Sequence, residues 1–83
     1  MISNQILQNT IDGLKSITRV ELCVMDIDGK AVAMTAEELE KCGKPAAEFA
    51  KSPADSQEIQ GYQLFKIFDE QQLEYIMIAV GVG

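Results

Sequence analysis

The chain has 83 residues, 47% of them apolar and 24% charged, with seven Lys/Arg against thirteen Asp/Glu for a net charge of -6. That is the balance of one small folded domain, too rich in apolar residues for a disordered acidic tail and too short for two domains. The chain has no His, which excludes Ser-His-Asp and Cys-His chemistry and any His metal site, and its acidic balance speaks against this segment gripping phosphate backbones.

Residues 3 to 17 read as a helix capped by Ser3, whose hydroxyl can accept from a free amide of the first turn. Leu7, Ile11 and Leu14 follow an i, i+4, i+7 pattern, and Ile6 and Ile17 widen the stripe. The stripe serves either as packing on a sheet or as a dimer seam. Residues 20 to 26 read as a strand, with Val20, Leu22 and Val24 pointing one way and Glu21, Cys23 and Met25 the other. Asp28-Gly29 then predicts a type I′ hairpin to a second, antiparallel strand over 31–34. Thr35-Ala36-Glu37-Glu38 has the form of a capping box for a short helix over 36–42. Gly43 is expected to end that helix in a left-handed conformation, and Pro45 to open a second one over 45–51. Residues 52 to 58 read as a polar connector. Two strands, 59–68 and 73–82, are the richest in β-branched and aromatic residues, with Asp69-Glu70-Gln71-Gln72 as the turn between them.

The expected fold class is thus α+β, with a four-stranded antiparallel sheet, one N-terminal helix and short middle helices in the order α-β-β-α-β-β. Apolar residues occupy both faces of the last two strands, so both faces need cover. One helix and two short ones scarcely provide it. Because the chain stops at Gly83 directly after an apolar strand, it reads as a fragment or excised domain of a longer protein.

Candidate chemistry is sparse. Asp26-x-Asp28-Gly29 resembles the start of a calcium loop, but Val24 and Thr35 fall where the first and twelfth ligands belong, so no metal site is expected. Glu37, Glu38 and Glu40 suit the first turns of a helix and its dipole. Cys23 and Cys42 have no imidazole to activate them, so no catalytic residue is assigned and the chain is read as a non-enzyme needing no cofactor. Met1-Ile2-Ser3-Asn4-Gln5 has no signal-peptide character, and no apolar run reaches the ~18 residues of a membrane span. The two cysteines are therefore read as reduced thiols of a cytoplasmic protein with no membrane partner. The segment from Gly43 to Gln57 carries the best ligand-binding candidates: Lys44 beside a Gly-Pro break, then Ser52, Ser56 and Gln57, near helix starts whose free amides suit a carboxylate or phosphate. Its plainer reading is a surface connector.

The run from Ile2 to Lys15, followed by Val24-Met25-Asp26-Ile27-Asp28-Gly29-Lys30, resembles the N-terminal sensing domain of bacterial sugar-diacid (carbohydrate diacid) type regulators, which carry a C-terminal helix-turn-helix. Residues 46 to 57 are similar to that family's middle stretch. The resemblance implies a PAS-like sensor that dimerises through helices, takes a small-molecule or protein input, and reaches DNA only through a C-terminal domain outside these residues. The expected function is a non-enzymatic sensing and dimerisation domain of a cytoplasmic transcriptional regulator, a homodimer binding a small acidic metabolite. A roadblock-like or profilin-like interaction module without ligand is the alternative.

Overall fold

The computed structural model describes residues 3–81. Val82, the last residue of the expected final strand, and Gly83 lie outside them. The first helix, α1 (Asn4–Thr18), starts where Ser3 Oγ accepts from the Ile6 N–H at 3.2 Å. It stops at Arg19, which turns left-handed at φ 57° and donates its N–H to the Lys15 carbonyl. Leu7 and Ile11 are buried against β1 (Val20–Asp26) and β2 (Ala31–Met34). The apolar stripe is narrower than its sequence suggests: Leu14 is 41% and Ile17 81% exposed, and Ile6 also faces solvent.

β1 and β2 pair antiparallel as expected, with Val24 opposite Ala33. Their turn is not type I′. Only Gly29 has positive φ, at 86°, while Asp26 Oδ1 accepts from the Asp28 and Lys30 amides at 2.9 and 3.0 Å. The Asp26 carboxylate thus organises a longer loop, and the register shifts between Val24 and Met25. This is the three-residue class of hairpin, in which a left-handed Gly ends a type I turn. Type I′ geometry occurs instead at Gln60-Gly61 (φ 52° and 89°) and at Glu70-Gln71 (φ 53° and 69°).

The capping box does not form. Thr35 sits one residue too early. Its hydroxyl accepts from the Leu22 N–H at 2.8 Å and donates to Glu21 Oε1 at 2.7 Å, fastening the end of β2 to β1. A 3₁₀ helix (Glu37–Cys42) follows and runs straight into α2 (Gly43–Ala50). Gly43 is right-handed, at φ -59°, so it opens the second helix instead of ending the first. Its missing side chain serves a close approach: the Gly43 and Gly29 carbonyls each occupy the space where the other residue's Cβ would stand.

The sheet has five strands, not four. The additional one, β3 (Ser56–Ile59), lies mostly within the segment read as a connector. It pairs antiparallel with β4 (Tyr62–Asp69), which pairs with β5 (Gln72–Gly81), and β5 in turn pairs with β1. The order is β2-β1-β5-β4-β3. One face carries Cys23, Met25, Leu64, Ile76 and Ile78 under Leu39, Cys42, Ala46 and Phe49 of the two middle helices. The other carries Leu22, Val24, Ala33 and Tyr75 under Leu7 and Ile11 of α1. α1 also closes the β2 edge. The Gln8 side-chain amide donates to the Met34 carbonyl at 2.8 Å and accepts from the Met34 N–H at 3.1 Å, as a neighbouring strand would.

Gly29→Ala meets both a left-handed backbone and the Gly43 carbonyl. Gly61→Ala meets only the backbone, since nothing lies within 4 Å of its would-be Cβ. Backbone strain of this kind costs about 1–3 kcal/mol, so Gly29→Ala should lose clearly more urea stability than Gly61→Ala. Equal losses would show that the close approach relaxes without cost.

Candidate functional site

Where the 3₁₀ helix passes into α2, the middle helices stand away from the β3–β4 hairpin. A cavity of about 270 Å³ opens there, lined by Lys41, Cys42, Pro45, Ile59, Gln60, Tyr62 and Leu64. Ile59 and Tyr62 are opposite one another across the hairpin, and Leu64 continues the same face of β4. Pro45 and Cys42 form the helical wall. Gln60, held left-handed in its turn, stands at the hairpin tip beside it.

Lys41 supplies the charge. Its ammonium lies 5.8 Å from the centroid of the Tyr62 ring. The hydrogen-bonding phenol of Tyr62 and its electrostatic attraction push the Lys41 pKa above its ordinary value, against a smaller opposing effect of burial. The lysine therefore stays cationic throughout the physiological range. Burial pushes the Cys42 thiol up, with Lys41 opposing, and Cys23 is pushed up to about 11, chiefly by burial and then by Cys42 and Glu40. Both thiols are protonated at neutral pH and behave as small apolar groups, not nucleophiles. An apolar recess with one ammonium, one phenol and one carboxamide at its rim suits a small organic anion with an apolar body.

The four ligand-binding residues expected from sequence do not converge. Lys44 is exposed on the first turn of α2. Ser52 Oγ donates to the Phe49 carbonyl at 2.9 Å, while the Ser52 carbonyl accepts from the half-buried Lys66 ammonium. Those bonds finish the C-terminus of α2, where a cation is favoured. Lys66 Nζ also sits 5.1 Å from the centroid of the Phe49 ring. Ser56 and Gln57 are exposed neighbours on β3 and point to opposite faces of the sheet. The start of α2 is no open amide nest, because the Gly43 N–H already donates to the Glu40 carbonyl. Of the residues that line the cavity, Gln60 and Tyr62 flank Gly61, and that X-Gly pair was the available hairpin signal. Lys41 carried no local sign beyond being a cation on a short helix.

A second polar cluster is structural. Lys15 Nζ lies 3.1 Å from Glu21 Oε1, the oxygen that also accepts from Thr35. Among the described residues no group of three or more His, Cys, Asp or Glu could hold a metal ion, and no helix is long and apolar enough to cross a membrane. The chain matches no protein-family model, no curated protein and no solved structure.

The Thr35 hydrogen bond, and after it the one from Lys15, hold Glu21 below the usual carboxylate range, with burial opposing. Its stabilising contribution is complete above the ordinary carboxylate pKa and is lost as pH falls through the lowered folded value. Glu21→Gln should therefore lower the melting temperature at pH 7 and narrow its gap to the parent as the solution is acidified below pH ~4. A gap that stays constant down to pH ~2 would show that the ionised carboxylate contributes nothing.

Proposed function

We propose that this chain is the non-enzymatic sensing and dimerisation domain of a cytoplasmic transcriptional regulator, PAS-like in organisation, with a small acidic metabolite held in the cavity beneath Lys41. DNA contact belongs to a further domain of the regulator. The observation that carries this reading is the cavity itself: an apolar recess of about 270 Å³ with an ammonium at its mouth, in a domain of net charge -6. An anion meets repulsion over most of such a surface, so a local cation beside an apolar wall selects where it settles. The likeness of the N-terminal helix and the Val24–Lys30 hairpin to sugar-diacid regulators supports the regulatory setting.

The mechanism is a population shift. The cavity has one wall on the middle helices and the other on the β3–β4 hairpin, so a ligand touching both favours the arrangement in which they stand at the right separation. It moves the equilibrium by no more than its differential affinity for the two arrangements.

A ligand-free interaction module of roadblock-like or profilin-like kind is the second reading. A partly bare sheet face favours it: Phe65 is 36% exposed opposite Met77, on the side of the sheet that carries α1.

A thermal-shift panel of aliphatic and aromatic mono- and dicarboxylates distinguishes the two. At least one should raise the melting temperature of the parent protein. Its affinity should fall about tenfold in Lys41→Met, the loss of one charge-assisted hydrogen bond. A panel in which no carboxylate stabilises the parent removes the sensor reading and leaves the interaction module.

A further inference from the structure

A sheet has two edges, and this one treats them differently. At β2 the Gln8 amide occupies both backbone groups of Met34. At the other edge β3 carries no such cover, and Ser56, Gln57 and Glu58 are all exposed. The hydrogen-bonding phase of β3 follows from one contact: the Lys66 N–H donates to the Asp55 carbonyl at 3.1 Å. Residues 55 and 66 continue the register in which Gln57 faces Leu64 and Ile59 faces Tyr62. In an antiparallel ladder directly opposed residues alternate between bonded and non-bonded pairs. Asp55, Gln57 and Ile59 therefore bond inward to β4, while Ser56 and Glu58 turn their N–H and C=O groups outward. Of the usual protections of an edge, Ser56–Ile59 has shortness and the Glu58 charge, but no Pro, Lys or bulge.

We propose that the β3 edge docks a second copy of this chain, strand against antiparallel strand, with Gln57 on the two-fold axis. Outward-bonding residues must meet outward-bonding residues, which leaves three two-fold registers. Centring on Glu58 sets two carboxylates directly opposite, which is unfavourable. Centring on Ser56 leaves that residue alone paired within both strands, and pushes Glu58 against Ala54. Centring on Gln57 pairs Ser56 with the partner's Glu58 and Glu58 with the partner's Ser56, each pair exchanging two backbone hydrogen bonds. It also sets the Ser56 hydroxyl beside a carboxylate and brings the two Gln57 amides together on the opposite face. The strand is self-complementary in that register alone, and this selects a second copy over an extended peptide from another protein. The result is a continuous ten-stranded sheet with a Gln8 clamp on Met34 at each outer end.

This supplies a surface for the dimerisation half of the proposed function and rests on that half alone. Leu7 and Ile11 of the α1 stripe pack within their own chain, while Leu14 stays exposed.

Cysteine trapping tests the register. Cys23 and Cys42 are buried, so the parent should show no disulfide dimer under mild oxidation. In a non-bonded antiparallel pair the Cα atoms lie about 4.5 Å apart, within disulfide range. Gln57→Cys should therefore cross-link to itself rapidly, and Ser56→Cys and Glu58→Cys slowly. Faster cross-linking of either of those two overturns the register. No cross-linking of any of the three overturns the edge dimer, as does association of this edge only with other proteins. Glu58→Pro removes an outward donor and leaves the inward ladder intact. It should abolish concentration-dependent dimerisation in sedimentation with the far-ultraviolet spectrum unchanged, and a Glu58→Pro protein that folds and still dimerises also sinks the proposal. Carboxylate stabilisation without cross-linking would remove the edge and spare the sensor; cross-linking without any stabilising carboxylate would do the reverse.

Discussion

Ile76 and Ile78 sit on the middle strand of the sheet with no exposed surface, and Tyr75 between β1 and β4 is buried on the other face. A central strand that is apolar on both sides forces a three-layer arrangement, with something on each face. The chain meets that demand with one fifteen-residue helix on one face and two short helices on the other. α2 has eight residues, so it spans about 12 Å, whereas five strands are about 19 Å across. Neither face is fully covered. On one, cover ends beside Pro45, and the gap above Leu64 and Tyr62 is the cavity. On the other α1 packs over β1, β2 and Tyr75 of β5, and Phe65 is left partly exposed. The two functional readings of the molecule draw on these two gaps.

Several polar bonds of the domain join one element to another. Thr35 ties β2 to β1, and the Lys15–Glu21 ion pair ties the end of α1 to the strand it feeds. Lys66 reaches through the sheet face to the end of α2. Each bond replaces a packing contact that such a small core cannot supply. At the cavity, by contrast, Lys41 has an aromatic ring and a phenol near it, which leaves its ammonium protonated and open to an anion.

Most of the regular elements were legible in the residues. Alternation over 20–26 assigned each side chain to its face, and Ser3 marked the start of α1, because both signals are local. The errors have a common cause in contacts that no short window contains. Thr35 leaves its capping box because Glu21, fourteen residues away, offers a charged acceptor. Gly43 is a glycine because Gly29 approaches it, not because a helix ends there. β3 was missed because an edge strand with three exposed residues has no apolar alternation to read, and only pairing with β4 defines it. The cavity escaped for the same reason. Its walls come from a short helix and a hairpin that are adjacent in space only once β4 has paired with β5.

The Gln8 clamp has a consequence for assembly as a whole. In the edge-paired arrangement proposed above, a subunit whose Met34 groups are already taken joins through β3, and a symmetric join of that kind closes at two copies. Were Met34 left bare, the two rims could meet head to tail, and nothing in the geometry would end the series. A carboxamide on a neighbouring helix thereby works against head-to-tail growth.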